Sequence, residues 1–302
     1  MQFVTFQANG KTDIGILSAD SKAVIPLQAA ERFYYKSATL PGTMQELIEQ
    51  GDAAMDMVRK IIAKLDGACP KVPLSDVQLL APIPRPRKNI FCVGKNYVEH
   101  ALEFEKTTDV NLAVPKVPVI FTKPPTCVVG PGAIVKNHKH ATSQLDYEVE
   151  LAVVIGKTAF RVAKENAYDY VFGYTIMNDV SARDLQKLHA QWVMGKAADT
   201  FAPLGPCITH KSGIPDPHNL YIKTSINGEL RQNANTKQMV FDIPTLIATL
   251  SSVITLEPGD IIATGTPSGV GVGFNPPQFM NFGDEMRLEI EKIGVLVNTI
   301  EK

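Results

Sequence analysis

The sequence predicts an α+β, β-rich fold in which a rolled or sandwiched β core follows a small N-terminal α/β domain. Three observations lead there. Short apolar or alternating runs separated by Gly, Pro and Asn recur from Asn89 onward. Extended helical periodicity is confined to the stretch before residue 66, and a proline-dense segment stands between the two regions.

In chain order, QFVTF, IGILSAD and AVIPL read as short strands. TMQELIEQGDAAMDMVRKIIAKL then carries helical spacing, with Leu47, Met55, Val58, Ile61 and Ile62 able to share one face. APIPRPRK at 81–88 places three prolines where neither a helix interior nor a central strand tolerates them, so a boundary is expected there, with domains 1–80 and 81–302. Beyond it, NIFCVG, VIFTK, EVELAVVIG, VFGYTIMN, YIKTSINGELR, GDIIATG and MRLEIEKIGVLVNTI read as strands, and Asn227-Gly228 between alternating runs signals a hairpin. Three helices are expected: one after Tyr97 capped by Asn96 and Glu99, one opened by a Ser181/Asp184 capping box, and IPTLIATLSSVI capped by Asp242.

Lys and Arg number 30 against 31 Asp and Glu, a net charge of −1, so no basic surplus advertises nucleic acid or an anionic membrane, and a small molecule is the expected partner. No apolar run reaches the roughly 20 residues needed to cross a bilayer, and MQFVTFQANGK lacks the plan of a secretory signal, which makes the cytoplasm the expected location. Cys69, Cys92, Cys127 and Cys207 form no CxxC pair and suit buried free thiols. GVGVGF at 269–274 fails the dinucleotide fingerprint because Pro276-Pro277 follows where a helix should begin. Glycines 265, 269, 271 and 273 instead suit close backbone approach to a site. Gly94-Lys95 and Gly195-Lys196 lack the remainder of a phosphate loop, and His138 and His140 read as solvated loop residues.

The chemistry points to QLDYEVELAVVIG. Strand alternation puts Asp146, Glu148, Glu150, Ala152 and Val154 on one face and Tyr147, Val149, Leu151, Val153 and Ile155 on the other. Both faces turn apolar, so glutamates there must be paired, protonated or bound to a metal. Residues two apart on a strand are about 6.5–7 Å apart, within reach of one cation. The plainer account of an isolated ExE is a strand edge lapped by solvent. Asp179, at the end of VFGYTIM and before SARDLQ, adds a third carboxylate at a strand-to-helix junction, although alone it is also a natural turn residue. Glu148, Glu150 and Asp179 without His or Cys nearby make a hard-oxygen set suited to Mg²⁺ or Mn²⁺.

From Asn89 to the C-terminus the chain resembles the fumarylacetoacetate hydrolase superfamily, through NIFCVGKNYVEHALE, FTKPP, LDYEVELAVVIG, GYTIMNDVSARDLQ, GKAADTFAPLGP, INGELRQ and PGDIIATGTPSGVG in order. The resemblance implies a β-roll core, a homodimer, and a metal on Glu148, Glu150 and Asp179. It also implies a His100–Glu103 pair on a mobile lid at about 95–115; the two residues lie one helical turn apart, and the bland alternative is an exposed helix. Lys123 and Lys196 match positions where a cation faces substrate oxygens. By the same resemblance Arg183 supports the ligand shell, Gln186 reaches substrate, and Thr264 and Thr266 belong to a loop touching the substrate carboxylate or a water on the metal. Lys95 departs from the arginine often found before Asn-Tyr and gives up bidentate carboxylate binding.

The leading expectation is hydrolysis of a C–C bond in an acylpyruvate-type 2-oxo-acid, releasing pyruvate. Water activation falls to His100 oriented by Glu103, and oxyanion stabilisation to Lys123, with Gln186 as a candidate second donor. Oxaloacetate decarboxylation and hydroxymuconate isomerisation reach the same enolate and stand as alternatives. A binding or regulatory protein that merely retains the fold is the non-enzymatic alternative.

Overall fold

The computed structural model describes residues 1–106 and 109–302, so Thr107 and Thr108 of the expected lid lie outside the described residues. The fold is mixed α+β and rich in strands. One large sheet runs, in spatial order, through Val72–Pro73, Ala23–Pro26, Lys11–Leu17, Gln2–Ala8, Ala202–His210, Val171–Asn178, Val149–Ile155, Ile261–Ala263, Ile90–Gly94 and Val119–Lys123. A second, five-stranded sheet runs Glu229–Asn235, Tyr221–Ile226, Glu285–Ile290, Gly294–Ile300 and Ile134–Val135.

Alternation along Val149–Ile155 explains how the layers stack. Val149, Leu151, Val153 and Ile155 join a core shared with Ile222, Ile226, Met286, Leu288 and Leu296 of the second sheet. Ala152 and Val154 face the opposite way, into a core with Leu47, Ile48, Met55, Val58 and Ile61 of the N-terminal helices. All seven residues of the strand are buried. Each large aliphatic side chain so buried contributes about 1.5–3 kcal/mol. That environment makes an unpaired charge on the same strand costly.

Several local expectations change. The long periodic stretch is two helices, Met44–Gln50 and Asp52–Lys64, because Gly51 takes φ 57° between them. Leu27–Tyr35 is a helix that follows the strand Ala23–Pro26, an element the AVIPL reading did not contain. The first strand does not stay within the first 80 residues: Gln2 and Phe3 pair with Thr209 and Ile208. The Asn227-Gly228 hairpin and the Asp242 cap, whose side chain accepts from Thr245 N, form as expected. All four cysteines are buried and free. Among the described residues no helix is long and apolar enough to cross a membrane.

Candidate active site

Strand pairing assembles the three carboxylates. Val149 lies opposite Asn178 and Glu150 opposite Met177. The chain then turns so that Asp179 N donates to Glu148 O at 2.9 Å, while Glu148 N donates to Asn178 Oδ1 at 3.0 Å. Two remote segments are thereby locked in a register that sets Asp179 beside the ExE pair. Glu148, Glu150 and Asp179 are 4%, 1% and 0% exposed, and one oxygen from each lies within 4.8 Å of those of the other two.

The surrounding cations are distributed unevenly. Lys196 Nζ lies 2.8 Å from Glu148 Oε2 and 2.7 Å from Asp179 Oδ2. Arg183 reaches Glu148 Oε1 at 2.7 Å and Asp146 Oδ2 at 2.8 Å. Glu150 accepts only Gly265 N, at 2.9 Å, and forms no ion pair among the described residues. Burial alone would raise the Glu148 carboxyl, but Lys196 and Arg183 outweigh it and hold the group well below its ordinary range. Glu150 moves the other way: burial, then the charges of Asp179 and Glu148, push it far above the usual carboxylate range. A proton there substitutes for missing positive charge. An all-oxygen set with one carboxylate short of a counter-charge fits a hard divalent cation.

The remaining expected residues divide between cavity and support. His100, Glu148, Glu150, Arg183, Gln186, Lys196 and Thr266 line one cavity. Lys123 does not. Its buried ammonium meets Asp179 Oδ1 at 2.8 Å, Val180 O at 3.0 Å and Phe201 O at 2.8 Å, and also donates to Lys196 O. With those contacts it sits beside Asp179, outside the cavity lining. Thr264 is likewise turned away, since its hydroxyl donates to Leu151 O at 2.8 Å. Gln186 Oε1 accepts from Arg183 Nη1 at 3.0 Å.

The helix Val98–Glu105, in the segment expected as a lid, brings His100 to this cavity. His100 is 5% exposed, and its Nδ1 stands 3.6 Å from Glu103 Oε2, a separation too long for a hydrogen bond. Glu103 is held by Gly269 N, which lies 3.2 Å from both of its oxygens, and a Cβ on Gly273 would overlap that carboxylate. The glycine loop therefore does bring backbone up to the site.

Two expected caps are absent. Asn96 does not cap the lid helix but bonds to Phe241 and to Thr264 O, tying the lid base to the threonine loop. Ser181 and Asp184 form no capping box: Ser181 Oγ donates to Asp179 O, and Asp184 accepts from Thr142 Oγ1 and Ser143 N. The sequence reading also gave no role to Asp146, Gln232 or the aromatic wall of Phe104, Phe121 and Trp192. Asp146 could have been noticed as the third carboxylate of the alternating face, because it accepts Gly271 N at 2.6 Å and Val272 N at 3.0 Å as well as Arg183. The wall has no linear signal, since its rings meet only through folding, at centroid separations of 5.6 and 6.3 Å.

Residues 89–301 match the family model of the fumarylacetoacetate (FAA) hydrolase C-terminal domain. The chain belongs to the fumarylacetoacetate hydrolase family. Within it, the chain is 48% identical over 305 residues to oxaloacetate tautomerase YisK of Bacillus subtilis (strain 168), covering 99% of this chain and 100% of that relative. A fumarylacetoacetate hydrolase from psychrophilic Exiguobacterium antarcticum has a TM-score of 0.83 at 38% identity, covering 100% of this chain and 99% of that one. Maleylpyruvate hydrolase from Sphingobium sp. SYK-6, solved with manganese(II) and pyruvate, has a TM-score of 0.76 at 31% identity, with 100% and 99% coverage. Fumarylacetoacetate hydrolase relatives with these names are enzymes acting on small molecules, and they include an oxaloacetate tautomerase as well as hydrolases.

Proposed function

We propose that this chain is a divalent-metal-dependent oxaloacetate tautomerase, moving a proton between C3 and the C2 oxygen to interconvert enol and keto forms. The observation that carries the reading is the place of Lys123. Hydrolysis of an acylpyruvate builds a tetrahedral oxyanion at the distal carbonyl and needs a donor there. The lysine expected in that role is occupied by Asp179 and three backbone carbonyls. Tautomerisation forms no tetrahedral oxyanion and does not need such a donor. The 48% identity to an oxaloacetate tautomerase along its whole length supports the same choice.

Glu148, Glu150 and Asp179 would hold Mg²⁺ or Mn²⁺, which supplies Lewis-acid stabilisation of negative charge developing next to the substrate carboxylate. The side chains do the rest. Arg183 and Lys196 orient Glu148, and Lys123 and Lys196 orient Asp179. His100 carries the proton: Nδ1 faces Glu103, which leaves Nε2 for the substrate carbon, and Glu103 stabilises the imidazolium when the proton is held. Lys95, on the cavity wall and paired with Glu105, offers a point charge to the distal carboxylate. Phe104, Phe121 and Trp192 keep bulk water from the proton path.

Hydrolysis remains the second reading, supported by the likeness to the maleylpyruvate hydrolase. The deciding experiment follows loss of the enol absorbance of oxaloacetate by the Mn²⁺-loaded protein, beside pyruvate release from an acylpyruvate and from oxaloacetate. Acceleration of enol loss without pyruvate supports the tautomerase. Faster acylpyruvate cleavage would restore the hydrolase.

A further inference from the structure

Gln232 lies in the strand Glu229–Asn235 of the second sheet, outside the cavity, and is completely buried. Its amide makes four hydrogen bonds. Oε1 accepts from Val149 N at 3.1 Å and from Thr224 Oγ1 at 2.9 Å. Nε2 donates to Pro267 O at 2.8 Å and to Thr266 Oγ1 at 2.8 Å. The orientation of this amide follows from its partners. A backbone N–H can only donate and a backbone carbonyl can only accept, so the oxygen must face Val149 and the nitrogen must face Pro267.

That polarity has a consequence one bond further on. An amide NH₂ cannot accept, so Thr266 must receive the bond from Gln232 and send its own proton elsewhere. No acceptor among the described residues takes that proton, and Thr266 lines the cavity. Thr264, two residues earlier, shows the opposite outcome, with its hydroxyl proton given to Leu151 O.

We propose that Gln232 is a positioning residue for the reaction: by donating to Thr266 Oγ1 it obliges that hydroxyl to present its proton to an anionic oxygen of the bound 2-oxo-acid. The inference rests on the 2-oxo-acid reading above. It assigns to the second sheet a part in substrate recognition, exercised through one hydroxyl. A hydrogen bond to a charged oxygen contributes enough that its loss weakens binding about tenfold.

The test uses the Mn²⁺-loaded full chain and oxalate as probe, with binding read from the fluorescence of Trp192, the single tryptophan, which lines the cavity. In Q232E the residue at 232 becomes the acceptor and captures the Thr266 proton, so oxalate should bind about tenfold more weakly. T266V should weaken binding by the same factor, and T266S should bind as the wild type does. The double variant Q232E/T266V should be no weaker than T266V alone, because both changes remove one proton donor. T224V takes a different bond from the same amide and should leave affinity within about twofold.

Additive losses in the double variant, or unchanged affinity in Q232E, would overturn the proposal. If Q232E does not fold, near-isosteric Q232M takes its place. If neither folds, T266V decides alone, and wild-type affinity there overturns the proposal. Failure of the wild type to bind oxalate would instead remove the 2-oxo-acid reading itself.

Discussion

On the strand side of the cavity, Glu148 and Asp179 are met by Lys123, Lys196 and Arg183 at 2.7–2.8 Å. On the helix side, His100 rides the eight-residue helix Val98–Glu105, and among the described residues its buried Nδ1 has no hydrogen-bond partner. In the proposed reaction the two regions do different work. Carboxylates meant to share one cation repel each other until it arrives, so surrounding cations and a strand ladder must hold them. A proton carrier must be stable in both protonation states, and a full set of hydrogen bonds would commit it to one.

The strongest challenge to this contrast is Glu150→Gln. It removes the one carboxylate without a counter-charge, and metal-dependent turnover should fall about 10³-fold or more, since the metal supplies several kcal/mol of charge stabilisation. Isothermal titration with Mn²⁺ should show the accompanying loss of affinity. An enzyme still fully active after this change would sink the metal assignment.

Lys123→Met probes rigidity rather than chemistry. It strips a 0% exposed partner from 0% exposed Asp179 and should destabilise the fold by about 3–5 kcal/mol in a denaturant titration. A loss of under about 1 kcal/mol would mean the pair behaves like a surface contact and the strand side is less tightly built than its distances imply.

His100→Asn should lower kcat by about 100-fold while leaving Mn²⁺ affinity unchanged, because among the described residues the ion pair of His100 is with Glu103 and not with Glu148, Glu150 or Asp179. Equal losses in turnover and metal binding would erase the division between floor and lid.

The smallest effect concerns pH. Burial, with Asp179 and Glu148, raises Glu150 well above its ordinary 4.5, so the metal-free fold retains a proton that the unfolded chain releases above that pH. The folded state then binds more protons, and this residue's contribution to stability declines as pH rises from 4.5 toward neutrality. Melting temperatures of metal-free wild type and Glu150→Gln should diverge along that interval, with the variant the more stable at neutral pH. Parallel profiles would show that Glu150 is not held in its protonated form.

Much of the floor could be read along the chain. Glu148 and Glu150 stand out because period-two alternation puts them on a strand whose two faces are both apolar, and a buried charge demands an explanation. Asp179 was legible as a polar end to an apolar run. The helix Val98–Glu105 was legible through the spacing of His100 and Glu103, but its cap and that of Arg183–Leu188 were not: Asn96 and Ser181 have side chains suited to capping, and tertiary partners took them instead. Lys123 shows the same limit. FTKPP marks a lysine at a strand end without indicating which side of Asp179 its ammonium occupies.

The sequence by itself determined the strand-rich class, the hairpin at Asn227-Gly228, the buried character of the ExE strand and the hard-oxygen nature of its carboxylates, because each follows from local period and residue chemistry. Only the tertiary structure decided which cations neutralise which carboxylates, that the N-terminal strands continue the large sheet, and that Gln232 directs the Thr266 hydroxyl. Those outcomes depend on atoms brought together across long separations in the chain. The polarity of a hydrogen bond is set by the partner it meets, and no single residue type specifies that partner.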